Sequence, residues 1–376
     1  MQKPRIEAFL LYLAPNMKTR IYPTLLSLLI CYGSFAQQAD HKKKKKSDIP
    51  KYTIENWFNG KKSATCLTFD DWSSGHGPIV VNNLIERKCP ATFFVTQNNN
   101  GLGGGYVQMQ KAAQHGLEIG NHTLSHPDLT KLTSDDLKKE VSGTQASLSK
   151  ETNSEVSTLA YPYGPYNDQV IEEVKKHHIA ARGVIDINHF PYEFATSEQD
   201  YFKLNTVGVN EDFTSEKFGT IIRKANIEGG MLTLIFHSVY NDKVDDHSYA
   251  AITEQRLNQL LDTLDSYKKE TWVTTMANAV KYHREAHCAK LKTITNNAME
   301  WTLNLTDTLS NNKIYNQPLT INLKVPNGKK YIAISQRGEP LPFSFNDKKN
   351  LISFNVVPDG GIIRITKARE KGMKKK

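Results

Sequence analysis

Two adjacent carboxylates close an apolar run in Ala64-Thr65-Cys66-Leu67-Thr68-Phe69-Asp70-Asp71-Trp72. Successive residues of a strand point to opposite faces and two ionised carboxylates side by side repel, so such a pair needs a strand end and a positive partner. Further along, Gly120-Asn121-His122-Thr123-Leu124-Ser125-His126 follows another apolar stretch and offers two imidazoles, and Leu234-Ile235-Phe236-His237 ends a third run on a histidine. His122, His126 and one carboxylate of the Asp70-Asp71 pair make a set of two histidines and one aspartate that can hold a divalent ion and leave positions open for water and substrate. By itself the His-x3-His spacing describes many paired surface histidines. Joined to Asp-Asp after one strand and His after another, it points to a metal site.

The elements that must position these residues alternate in the pattern of consecutive βα units from Lys61 to about His287. Strands are expected at Ala64–Phe69, Ala91–Thr96, Leu117–Gly120, Thr158–Ala160, Ala180–Ile185, Met231–Phe236 and Trp272–Thr274. Helices are expected at Ile79–Lys88, Val107–His115, Ser134–Glu151 with Thr133 at its start, Asp168–His177 capped by Asn167, Glu216–Ile227 and Glu254–Lys269. The fold class is therefore α/β, an irregular (β/α) barrel over 61–287, and such barrels carry their chemistry at the C-terminal ends of the strands. Beyond Lys290 the apolar residues alternate in period two, as in Leu319-Thr320-Ile321-Asn322-Leu323-Lys324-Val325, between turns such as Pro326-Asn327-Gly328. This predicts a small all-β, sandwich-like domain over 290–369, for which a structural role is favoured over sugar binding because no exposed aromatic cluster is evident.

The barrel motifs resemble the polysaccharide deacetylase (NodB-homology) family of carbohydrate esterases. Thr68-Phe69-Asp70-Asp71 matches its first motif, His122-Thr123-Leu124-Ser125-His126 its second, and Leu234-Ile235-Phe236-His237 its last, in family order. The resemblance covers roughly Lys61 to His283. It implies that Asp71, His122 and His126 hold a divalent metal, most often Zn2+ with Co2+ as a substitute, that Asp70 is the general base, and that His237 protonates the leaving group. It also implies that the backbone N–H of Tyr163 stabilises the oxyanion, and that the reaction is hydrolysis of an N-acetyl amide or O-acetyl ester of a glycan. The third motif departs from the family's Arg-Pro-Pro-Tyr-Gly: Ala160-Tyr161-Pro162-Tyr163-Gly164 puts Ala where Arg stands, and Arg182 on the following strand is the candidate substitute. Asp186 is the candidate to tune His237. Trp72, His76, Tyr163 and Tyr166 are expected to line the sugar subsite, with packing the alternative for Trp72 and a solvated loop for His76.

Two other functions stay open. A glycoside hydrolase needs two carboxylates about 5–9 Å apart across the scissile bond, whereas Asp70 and Asp71 are adjacent and the histidines would be idle. A non-catalytic carbohydrate-binding protein on the same barrel fits the lost Arg and conflicts with the retained Asp70 and His237.

The net charge of +9 belongs to the tails. Basic residues gather near the N-terminus, in Lys42–Lys46 and in the tail 370–376, and without them the body is close to neutral or slightly acidic. No nucleic-acid partner is therefore expected, and the lysine run reads as a solvated linker, with weak attraction to anionic polymers or membrane surfaces as the alternative. Residues 1–36 read as a signal peptide whose true start is Met17: Lys18 and Arg20 supply its charge, and the apolar stretch Tyr22 to Tyr32 is too short to span a membrane. No transmembrane helix is expected in the mature chain, and the periplasm or exterior is the expected location. Cys31 stands in a poor lipidation box because Ile30 is bulky. Residues 37–60 read as a Lys-rich linker. Cys66, Cys89 and Cys288 have neither the number of a disulfide framework nor zinc-ligand spacing.

Overall fold

The strands that carry the motifs are almost continuous apolar runs because both of their faces are covered, as a parallel sheet wrapped by helices requires. The computed structural model describes residues 51–184, 197–296, 299–325 and 331–367, the side chains of Tyr331 and Ile332 excepted. The expected signal peptide with Met17 and Cys31, the lysine run, Asp186 and the basic tail lie outside the described residues. Eight parallel strands form the barrel sheet: β1 (Ser63–Asp71), β2 (Thr92–Val95), β3 (Glu118–Asn121), β4 (Thr158–Ala160), β5 (Ala180–Arg182), β6 (Val207–Gly208), β7 (Met231–Phe236) and β8 (Thr271–Val273). Their order is β5-β4-β3-β2-β1-β7-β6, with β8 paired to the first residues of β1. The ring closes through Leu204, which bridges Arg182 and receives a hydrogen bond from Gly183 N at 3.0 Å just before the chain enters β6.

Helix starts follow the expected chemistry, with Thr133, Asn167, Thr214, Thr253 and Thr275 each accepting a backbone N–H through the side chain. The single helix expected at Ser134–Glu151 is instead interrupted by a wide π turn at Lys139–Gly143, and the one expected at Ile79–Lys88 opens with a π turn at His76–Val81. Helix Met276–Cys288, for which no expectation was formed, closes the base of the barrel. The buried carboxylate of Glu118 accepts Thr92 Oγ1 at 2.7 Å, Thr158 Oγ1, and Ala277 N at 2.9 Å. A negative charge thus meets the positive end of that helix.

The expected linker is partly wrong. Tyr52–Ile54 is a strand that pairs antiparallel with Leu319–Lys324 of the C-terminal domain, and Trp57 is buried with its Nε1 donating to Gly229 O at 2.7 Å. The C-terminal region contains two antiparallel sheets, one of four strands that includes Tyr52–Ile54 and one of five. Their inward residues, among them Leu303, Leu305, Ile321, Phe354 and Ile365, share one apolar cluster with Trp57, Met276 and Tyr282 at the barrel base. The three described cysteines are free.

His178 makes the fold acid-sensitive. It is buried below β3, its Nδ1–H donates to Val174 O at 3.1 Å and its Nε2 accepts Asn121 Nδ2 at 3.2 Å, an arrangement that only the neutral ring satisfies. Burial pushes its pKa from 6.5 down to about 4. The unfolded chain therefore binds a proton that the folded chain refuses, and stability falls as pH drops below 6.5 until the ring titrates near 4. The slope approaches about 1.4 kcal/mol per pH unit, roughly 3 kcal/mol in all. Denaturant unfolding from pH 7 to 5 should show this loss, and His178→Gln should flatten it; an equal slope in both proteins would refute the assignment.

Candidate active site

Asp70 and Asp71 end β1, and the chain leaves the strand through a left-handed backbone at Asp71 (φ 75°) and Trp72 (φ 61°). The turn lets two neighbouring carboxylates serve one cavity instead of opposite faces. Asn99 Nδ2 holds the turn by donating to Asp71 O at 2.8 Å. The loop after β3 is bent in the same way at Thr123 (φ 71°) and His126 (φ 60°), and the loop after β4 at Tyr163 (φ 61°). Strained non-glycine residues at the ends of β1, β3 and β4, on the same end of one sheet, mark a functional surface.

The second loop is held by side chains that replace its missing backbone partners. Asn121 Oδ1 accepts Thr123 N at 2.8 Å, Thr123 Oγ1 accepts His126 N at 3.0 Å, and Glu140 accepts Leu124 N, Ser125 N and Ser125 Oγ at 2.6–3.0 Å. The π turn that interrupts the expected helix carries Glu140.

Asp71 Oδ1 lies 3.6 Å from His122 Nε2 and 3.5 Å from His126 Nε2, and the two imidazole nitrogens are 3.1 Å apart. Three donors around one ion at about 2.0–2.2 Å stand roughly 2.9–3.6 Å from one another, so the triangle fits a divalent cation. His122 Nδ1–H donates to Ala160 O at 2.8 Å, which leaves the Nε2 lone pair facing the triangle. Burial lowers the His122 pKa more than Asp70 and Asp71 raise it, which keeps the ring in the neutral, ligating form. Asp71 and His126 are partly exposed, so the set is open on one side.

Asp70 is buried, and Arg182, itself fully buried at the end of β5, donates from Nη2 to Asp70 Oδ1. Burial alone would raise the Asp70 pKa. The Arg182 guanidinium, with His122 and His237, outweighs it and holds the carboxyl below the usual range. Asp70 Oδ2 faces His122 Nε2 at 3.6 Å. His237, at the end of β7, has its pKa lowered by burial against the opposing pull of Asp70 and Asp71, and its buried Nδ1 has no hydrogen-bond partner among the described residues. The backbone N–H of Tyr163 makes no hydrogen bond among the described residues and is free for a ligand.

Two subsite expectations need correction. Trp72 is fully buried, donating from Nε1 to Leu102 O at 3.0 Å and packing on Phe93, so it lines no open subsite. His76 is not a solvated loop residue either: its Nδ1 accepts Ser73 N at 3.2 Å and its Nε2–H donates to His237 O at 2.7 Å, which anchors the backbone of His237. Tyr163 and Tyr166 are exposed, Tyr163 edge-on to His126 at 4.6 Å. Sequence reading overlooked Tyr249, exposed and edge-on to His237 at 4.7 Å on the opposite flank. Asp246 helps to bring Tyr249 to the site by accepting Gly75 N at 2.9 Å, which ties its loop to the one after β1, and Ile252 N–H donates to Ser238 O at 3.0 Å beside it.

Residues 59–181 match the family model described as polysaccharide deacetylase. The chain is 27% identical over 270 residues to a gellan lyase of Bacillus sp, a match that covers 67% of this chain and 11% of that protein. It is 31% identical over 147 residues to the peptidoglycan-N-acetylmuramic acid deacetylase PdaA of Bacillus subtilis (strain 168), covering 37% of this chain and 53% of the relative. A solved family 4 carbohydrate esterase from Bacillus anthracis aligns with TM-score 0.40 and 19% identity, covering 61% of this chain and 86% of that one. The chain thus spans from about a tenth to about half the length of these two curated relatives. Residues 59–181 thus match a polysaccharide deacetylase domain, and the motifs that resemble the NodB-homology pattern lie on the strand ends of a parallel barrel.

Proposed function

We propose that this chain is an exported, metal-dependent polysaccharide deacetylase that hydrolyses N-acetyl or O-acetyl groups of a cell-envelope or extracellular glycan. The observation that carries the reading is the convergence of Asp71, His122 and His126 on one point beside a buried, ionised Asp70. The matched tenth of the gellan lyase is too small a part of that protein to carry its lyase activity here. Peptidoglycan deacetylases and a chitooligosaccharide deacetylase among the relatives support an acetylated sugar polymer as substrate. The basic and apolar segment after Met17 supports export. No helix among the described residues is long and apolar enough to cross a membrane.

Asp71, His122 and His126 would hold a divalent cation, zinc by the chemistry of the donor set, which would supply Lewis-acid polarisation and lower the pKa of a nearby water. Asp70 takes a proton at Oδ2, the oxygen that Arg182 leaves free, as water attacks the acetyl carbonyl. Tyr163 N–H meets the carbonyl oxygen as it becomes tetrahedral. His237 gives a proton to the leaving nitrogen or oxygen as its bond to the acyl carbon breaks, so water and acetylated sugar yield acetic acid and the free amine or hydroxyl. Tyr163 and Tyr249 stand on either side as exposed rings suited to the apolar faces of pyranoses.

Acetate release is the direct test. Chitohexaose, peptidoglycan fragments and acetylated xylan should be assayed together; chelator should abolish release from the substrate used and Zn2+ restore it. Absence of release from every one of them in zinc-loaded protein would favour the non-catalytic carbohydrate-binding reading. Asp71→Asn should lose zinc by calorimetry, whereas Asp70→Asn should keep zinc and lose roughly 10²- to 10⁴-fold in kcat. A shared phenotype would contradict the division of roles. Arg182→Ala should leave zinc bound and move the acidic limb of the kcat/KM profile to higher pH, because burial then raises the Asp70 pKa unopposed by its nearest cation. An unmoved acidic limb would show that Arg182 does not set the charge of Asp70.

A further inference from the structure

The outer face of the four-stranded sheet holds a groove of about 650 Å³, within the range of about 300–1,000 Å³ typical of small-molecule sites. Inward positions of its strands are apolar, with Ile321, Leu323, Ile352 and Phe354 in the core, so the alternating positions must face outward. In the paired strands Leu319–Lys324 and Leu351–Val356 the central outward positions are polar, with Asn322 opposite Ser353 and Thr320 opposite Asn355, while Lys324 and Leu351 stand at the edge. A surface that only needed to meet water would more commonly use charged side chains here. These are short amides and hydroxyls, already oriented by one another.

Two hydrogen-bonded chains run across the sheet. Ser353 Oγ donates to Asn322 Oδ1, and Asn322 Nδ2 donates to Glu55. Thr320 Oγ1 donates to Asn355 Oδ1 at 2.7 Å, and Asn355 Nδ2 donates to Asn59 Oδ1 at 2.8 Å. Each of the two central amides has one N–H and one carbonyl lone pair engaged, which leaves a second of each for a ligand. Within each amide the remaining N–H and the remaining carbonyl lone pair lie side by side, the arrangement that can pair with two vicinal hydroxyls of a sugar. Phe343, partly exposed, adds an aromatic surface to the lining, and the charged liners are one acid, Glu55, and one base, Lys349. The balance excludes a polyanion and favours a neutral, polyhydroxylated ligand.

We propose that this groove is a second glycan-binding site that takes a neutral oligosaccharide segment. It is separate from the catalytic face. Asn59 and Gly60 line it just before β1 begins at Ser63, whereas Asp70 and Asp71 lie at the far end of that strand, roughly 25 Å along. A site so placed holds the protein on its polymer without occupying the catalytic cleft and raises the local concentration of acetyl groups.

Calorimetry on the zinc-loaded chain with cellohexaose, which carries no acetyl group to be turned over, and with polygalacturonate as the anionic control, tests the site. Saturable binding of a neutral hexamer is expected, weakened roughly tenfold by Asn355→Ala through the loss of one to two hydrogen bonds. Ser344→Trp, at an exposed position outside the network and opposite Ser353, should fill the groove and abolish that binding without threatening the fold. Acetate release from a short soluble substrate should be unchanged in both variants. No saturable binding, binding that survives both substitutions, or preference for polygalacturonate overturns the proposal. Binding is read without turnover, so a chain that binds at the groove but releases no acetate would refute the deacetylase reading and leave this one standing.

Discussion

The buried ion pair between Asp70 and Arg182 is the constraint on which the site depends. A carboxylate removed from water is costly by several kcal/mol unless a counter-charge accompanies it, and Arg182 is just as deeply buried, stacked over Phe94 at 4.6 Å. The pair also dictates the shape of the sheet. β1 and β5 are separated by β2, β3 and β4, so in a flat sheet their ends would lie about 19 Å apart at four strand spacings. Only a sheet curled towards closure brings the two side chains into contact. The Leu204 bridge that completes the ring grips Arg182 itself, so barrel closure and the ionisation of Asp70 are one structural event.

The same economy governs the loops. Asp71, Trp72, Thr123, His126 and Tyr163 occupy left-handed backbone, each at a cost on the order of 1–3 kcal/mol for a side chain other than glycine. Glycine would relieve the strain but would remove the side chain each position uses, whether facing the site, as at Asp71, His126 and Tyr163, or holding the loop, as at Trp72 and Thr123. The cost is offset instead by groups that bond the distorted backbone, with Asn99 on Asp71 O, Asn121 on Thr123 N and Glu140 on Leu124 and Ser125. Asp71, His122 and His126 therefore stand on loops whose backbone groups are already committed to partners within the protein.

Much of this was legible in the sequence, for a definable reason. β4 and β7 coincide with their expected limits, and the strand ends carrying Asp70, Asp71, His122 and His237 follow from apolar runs closed by polar residues, a local signal. Contacts between distant residues were not legible. Trp72 and His76 looked like subsite residues because aromatic rings next to a catalytic pair invite that reading, but Leu102 and the backbone of His237 hold them inside. Tyr249 escaped notice because its loop meets His237 through contacts with a residue twelve positions away and with the loop after β1, neither of which its local sequence signals. Tyr52–Ile54 was hidden in a hydrophilic stretch, since a three-residue strand has no periodicity to detect and its partner lies at the other end of the chain.

The altered third motif shows how a charge can change strands without leaving its site. Ala160 occupies the place where the family pattern has Arg, and in the parallel pairing of β4 with β5 its register partner is Arg182. Register partners in a parallel pair project from the same face of the sheet, about 4.8 Å apart, well within the reach of an arginine side chain. A guanidinium at either position can therefore meet the same carboxylate. The small side chain at 160 matters as much as the large one at 182, because two buried guanidinium groups side by side would repel with a single carboxylate between them. Ala160 keeps the contribution that needs no side chain: its carbonyl accepts His122 Nδ1–H and fixes which nitrogen of that ring faces the metal triangle. The strand thus gives up the charge and retains the orientation, and both halves of the site, the ionised Asp70 and the neutral His122, remain supplied by adjacent positions of one register.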